Sequence, residues 1–145
     1  MISAFDGSIT VEYSQFLLGE FPLDRDPLTL TAPAGEWIAV GGAGGLLLHS
    51  AANDHYPAVR VELWDSDPGA ASGEWDHVLV LDCDLREQVR LRSVTSDMEP
   101  QVLHIPSSGA HRVRVHTGGR AAAAELDEGT FEEGVECWLF QLWPA

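Results

Sequence analysis

The sequence contains no lysine: all eight of its basic residues are arginine, against 23 acidic residues, for a formal net charge of −15. In an Ala- and Gly-rich chain that absence reads as coding bias. A surface this negative repels phosphate backbones, which argues against direct nucleic-acid binding. Cysteine is scarce too. Cys83 and Cys137 are too few for a disulfide framework, and both are expected as free, buried thiols in a cytoplasmic protein. No apolar run approaches the roughly 18 residues needed to cross a bilayer. Nor do residues 1–7 show the basic-then-apolar pattern of a secretory signal.

Sequence signatures of catalysis are equally thin. The cluster Gly41-Gly42-Ala43-Gly44-Gly45 has no lysine and leads into Leu46-Leu47-Leu48, so it reads as a hairpin turn rather than a phosphate loop. His49, His55, His77, His104, His111 and His116 make no zinc-type spacing. No Gly-x-Ser-x-Gly elbow exists. Cys83 falls on the apolar side of its segment, where burial blunts a thiol. Asp82 and Asp84 project from one strand face about 7 Å apart, a separation a glycosidase pair can use, but without an aromatic platform beside it.

What the chain does have is period-two alternation almost from end to end. Ile9, Val11 and Tyr13 alternate with polar residues. So do Val59, Val61 and Leu63; then Leu79, Leu81, Cys83 and Leu85; Val89 and Leu91; and Val113 and Val115. Short apolar runs at 37–40 and 102–105 add to these, and Cys137–Trp143 forms an aromatic strand. Turn signals separate the segments at Pro33-Ala34-Gly35, Asp67-Pro68-Gly69, Pro106–Gly109 and Gly118-Gly119. Only Ala121–Leu126 reads as helical. The expectation is one all-β domain over 1–145, an antiparallel, jelly-roll-like β-sandwich of eight or nine short strands.

The acidity gathers at 62–87 and at 125–136. Asp65, Asp67, Glu74 and Asp76 bracket the loop Pro68–Gly73, and Asp82 and Asp84 follow on one strand face. Trp64 falls on the polar phase of its strand, and Trp75 sits between Glu74 and Asp76. Aromatic side chains among carboxylates suit an anchor for a partner with a basic surface. The plainer reading of the same residues is a solvated acidic face. Calcium, which takes about six to eight oxygen ligands, is the alternative, although the EF-hand spacing is missing.

Three segments carry a resemblance: Ile9–Phe16 with its Tyr13-x-Gln15-Phe16 core, His111–His116, and Cys137–Trp143. In order and character they resemble the competence protein ComJ family, small inhibitors of DNA-entry nucleases, and related bacterial proteins. The resemblance implies a cytoplasmic, non-enzymatic protein that binds and silences a nuclease. The combined expectation is an acidic protein-binding module of inhibitor or immunity type. Its partner would be a basic protein such as a nuclease or toxin, and it would need no cofactor. Its contacts would be Trp64, Asp65, Asp67, Glu74, Trp75, Asp76, Asp82 and Asp84. The alternative is a calcium- or small-ligand-binding sandwich.

Overall fold

In the computed structural model, which describes residues 1–21, 25–94 and 102–145, the alternating segments become strands whose apolar rows face one another. The described residues form ten: β1 Ser3–Ser8, β2 Gln15–Phe21, β3 Ala39–Gly42, β4 Gly45–His49, β5 Tyr56–Leu63, β6 His77–Leu85, β7 Gln88–Ser93, β8 Val102–His104, β9 Gly109–Gly118 and β10 Glu133–Pro144. One five-stranded sheet runs β1-β5-β10-β9-β6, and a second runs β3-β4-β2-β7-β8. The all-β expectation holds. The expected eight or nine antiparallel strands are corrected to ten in two five-stranded sheets, in which β10 pairs with β5 in parallel.

The strand count differs because a strand is expected at 9–13 and none at β1 or β2. Ile9, Val11 and Tyr13 alternate, but they form the connection between β1 and β2. Tyr13 and Ser14 have φ of 58° and 61°, the paired left-handed angles of a tight hairpin turn, across which the Gln15 N–H donates to the Glu12 carbonyl at 3.3 Å. Val11 is still buried and makes an isolated bridge to His55. The neighbouring strand β2 hides its period, because Phe16, Leu17 and Leu18 are all buried. A segment buried on both faces shows no alternation.

Between the sheets, Val59, Val61, Leu63, Val113, Val115, Trp138, Phe140 and Leu142 meet Phe16, Leu18, Leu46, Leu48, Val89 and Leu91 in one core. Phe16 joins the layers edge-on, its ring centroid 5.2 Å from Trp138 and 6.3 Å from Phe140, a geometry aromatic quadrupoles favour. The five-residue helix α1, Arg120–Ala124, follows β9 and overlaps the expected segment Ala121–Leu126 over 121–124.

The sheets also meet along one edge. Gly44 donates its N–H to the Asp84 carbonyl at 2.8 Å, and Ala43 bridges Asp84 in parallel. A Cβ on Gly41 would collide with the Asp82 carbonyl. Glycine there lets β3 lie against the 82–84 half of β6. The other half of β6, residues 77–81, pairs with β9 on one side, and among the described residues no strand lies on the other side.

Candidate functional site

Trp64, Asp65, Asp67, Glu74, Trp75 and Asp76 lie on the connection from β5 to β6, which crosses the outer face of the first sheet. The alternation of β9 and β10 builds that face: Arg112, Arg114 and His116 point outward beside Leu139, Gln141 and Trp143. Arg114 donates to Asp67 from both terminal nitrogens, at 2.6 and 3.2 Å, and its guanidinium sits 5.0 Å over the Trp143 ring. That forked pair, helped by the Gly69 N–H, holds the Asp67 carboxyl down at about 2. Ala71 donates its N–H to Nε2 of His116 at 3.1 Å, while Nδ1 faces the Leu139 carbonyl. His116 is therefore neutral with its proton on Nδ1, and burial pushes its pKa down. Trp75 packs 5.2 Å from the same imidazole.

These contacts divide the expected partner residues into two kinds. Trp64 and Trp75 are half-buried rather than free-standing, and the Trp64 indole donates to Glu62 at 3.0 Å. Asp67 is engaged by Arg114. Asp84 accepts from Arg25 at 3.1 Å, and the same guanidinium bonds the fully buried Glu20 at 2.7 Å. That arrangement ties the 82–84 end of β6 to the second sheet. Asp65, Glu74, Asp76 and Asp82 are exposed; Asp76 accepts the Arg120 backbone N–H at 3.0 Å, and Asp82 meets the solvated Arg112 at 3.3 Å. Between Asp76 and Asp82, Val78 and Val80 stand 46% and 47% exposed on the outward row of β6. Among the described residues no group of three or more His, Cys, Asp or Glu side chains converges to hold a metal ion.

On the inner side of the same edge opens a cleft of about 670 Å³. Its walls include Trp37, Ala39, His49, His77, Leu79 and Arg120. Trp37 stacks on His49 at 4.9 Å, and burial, with the Arg120 charge, lowers the His49 pKa.

Beneath the cleft lies a polar cluster that no spacing in the sequence announced. Glu136 is fully buried. It accepts from Ser50 Oγ at 2.7 Å, the Ala51 N–H at 2.8 Å, the Trp138 indole at 2.6 Å and Arg120 at 3.4 Å. His55 Nε2 lies 2.6 Å from Ser50 Oγ. Serine, histidine and glutamate thus meet, but in the wrong order for a hydrolase. The Ser50 hydroxyl gives its proton to Glu136, so His55 donates to that oxygen instead of activating it. His55 Nδ1, where an orienting carboxylate would sit, has no hydrogen-bond partner among the described residues. Ser50 is 1% exposed. The cluster is a structural lock that joins β10, the 49–51 turn and α1. Its one sequence signal was Glu136, a charge in phase with Trp138, Phe140 and Leu142.

Both cysteines are free. Cys83 is buried, which pushes its thiol up to about 12. Cys137, expected in the core, is exposed. It shares the outward row of β10 with Gln141 and Trp143, opposite the row that enters the core.

The fold defines a class, an all-β protein of two five-stranded sheets, in one of which the central strand pairs in parallel with a neighbour. Within it the chain has a ComJ-like fold. It superposes on ComJ from Bacillus subtilis, an inhibitor of the DNA degrading activity of NucA, with TM-score 0.59 and 11% identity over 100% of this chain and 99% of that one. It is also similar to the product of crocagin biosynthetic gene J, with TM-score 0.62 and 17% identity over 99% of each chain. No family model matches the chain, and no curated protein matches it in sequence. No helix among the described residues is long and apolar enough to cross a membrane.

Proposed function

We propose that this protein is a non-enzymatic, acidic protein-binding module of inhibitor or immunity type, which masks a partner with a basic surface such as a nuclease. The observation that carries the reading is the exposed face along β6. There Val78 and Val80 stand between Asp76 and Asp82, beside the loop carrying Asp65 and Glu74. Apolar contact holds a complex, and surrounding charge speeds and orients its formation. The full-length likeness to ComJ, itself an inhibitor of a DNA-degrading activity, supports the same class. Trp64 and Trp75 would shape the loop from below, while Asp67 and Asp84 keep their internal arginines. Nothing in the Ser50 cluster supplies a nucleophile.

The test is affinity capture with the tagged protein, at low and high salt, beside a variant neutralised at Asp65, Glu74, Asp76 and Asp82. The expected partner is basic, is released by salt, is not retained by the variant and, if a nuclease, loses activity when the protein is added. Recovery of the protein alone at both salt concentrations would sink the reading.

One observation favours a second reading. The cleft falls within the roughly 300–1,000 Å³ typical of small-molecule sites, and its Trp37–His49 stack offers an aromatic wall. A ligand screen followed by melting temperature tests it, since a bound ligand raises the midpoint by mass action.

A further inference from the structure

An edge strand exposes a row of backbone donors and acceptors, and proteins normally blunt such edges with lysine, proline, a bulge or a cover. Among the described residues the β6 edge is covered only over 82–84, by β3 and the turn that follows it. Residues 77–81 read His-Val-Leu-Val-Leu, with no proline, lysine or arginine. Their two faces differ. Leu79 lines the cleft on the inner side, whereas Val78 and Val80 point outward beside Asp76 and Asp82.

We propose that residues 77–81 of β6 accept an extended segment of the partner as an added strand. Its cleft-facing side chains would be apolar, and its outward ones basic. The inference rests on the protein-binding reading above and specifies how that partner docks. Main-chain hydrogen bonds would give affinity, and alternate side chains would give specificity. An added strand runs about 4.8 Å from β6, over the mouth of the cleft. Every second residue would then enter the space beside Leu79, Ala39 and the Trp37–His49 stack. The remaining residues would lie against Val78 and Val80, where cations would meet Asp76 and Asp82.

Charge decides against a second copy as the occupant. Joining two β6 edges would bring Asp76, Asp82 and Asp84 of both molecules together, in chains that each carry −15. Like charges set opposite one another destabilise a strand pair.

The probe is the heptapeptide Lys-Val-Lys-Val-Lys-Val-Lys, followed by NMR titration and amide exchange on the whole protein. Three controls accompany it: the peptide with Glu in place of Lys, the same lysine peptide N-methylated at alternate residues, and the Val80→Lys protein. Val80 points into solvent, so that variant keeps its fold, and an unchanged melting temperature confirms it. Exchange at alternate amides of 77–81 should slow on binding. N-methylation and Val80→Lys should each weaken binding by roughly tenfold or more, and the glutamate peptide should not bind. Equal binding of the N-methylated peptide, or shifts confined to the 64–76 loop, would overturn strand addition and leave the acidic-face reading standing. No binding of the lysine peptide at low salt would overturn both. A free protein that is already a dimer, dissociated by Val80→Lys, would also overturn the proposal by showing the edge occupied.

Discussion

Glu136 accepts the indole N–H of Trp138, two residues further along the same strand, at 2.6 Å, and both side chains are buried between the sheets. Because strand side chains repeat every second residue, a carboxylate placed in phase with the core row must find its donors inside the protein. It finds Ser50, Ala51 and Arg120. We predict that Glu136→Ala destabilises the fold by about 3–5 kcal/mol, as expected when a buried pair loses one member. Urea denaturation measures this. A loss below about 1 kcal/mol, the ordinary size of a point-mutation effect, would show that the cluster does not lock β10.

Three histidines make stability depend on pH. Burial is the largest cause lowering the pKa of His49, His55 and His116. Above about pH 6.5 the imidazoles are neutral in folded and unfolded chains alike. Below it the unfolded chain takes up protons that the folded chain resists, so stability should fall as pH drops from 6.5 toward the lowered folded values. Each histidine contributes at most about 1.4 kcal/mol per pH unit. Asp67 acts in the same direction at lower pH: its stabilisation is complete above the ordinary carboxylate range and is lost as pH falls toward about 2. Denaturation midpoints at intervals between neutral pH and about pH 5 test the histidine effect, and a flat profile would contradict it.

The cysteines should separate chemically. Cys83 is buried and its thiol is pushed up to about 12, whereas Cys137 is exposed. An alkylating reagent at neutral pH is predicted to label Cys137 in the native protein and Cys83 only after denaturation. Peptide mass mapping reads the outcome. Native labelling at Cys83 would mean that the β6 edge opens readily.

Gly41 sets how closely the two sheets meet at their shared edge, since any Cβ there would strike the Asp82 carbonyl. Gly41→Ala should cost about 1–3 kcal/mol, the usual range for overpacking, and should speed amide exchange at Gly44, whose N–H bonds Asp84. Unchanged exchange at Gly44 would show that the contact yields without loosening the edge.

Much of this fold is legible in the sequence. The alternation at 78–85 correctly divided Leu79, Leu81, Cys83 and Leu85 from Val78, Val80, Asp82 and Asp84, because β6 is wetter on one face than the other. The same parity along β10 sets Cys137 outward with Gln141. Other features were not legible, for physical reasons. Strand β2 lacks a period because both its faces are covered, and the alternation at 9–13 belongs to a turn that only its backbone angles disclose. The Ser50–His55–Glu136 cluster joins residues up to 86 positions apart, and a single sequence does not reveal the pairing that unites them. Of the expected contact residues, the loop set converged on one face. The role of Asp67 and Asp84 as internal ion-pair partners could not be read without knowing where Arg114 and Arg25 lie.

The parallel pairing of β10 with β5 also bears on how the molecule comes into being. Among the described strands β10 is the last in chain order, yet it occupies the middle of its sheet, between β5 and β9. Until it inserts, β1 and β5 form one ribbon and β9 and β6 another, with nothing to hold them side by side. Such long-range closure puts the domain among slow folders, on a scale of about milliseconds to seconds. During synthesis, the half-made sheet would wait with two unpaired inner edges for the strand that fills the gap.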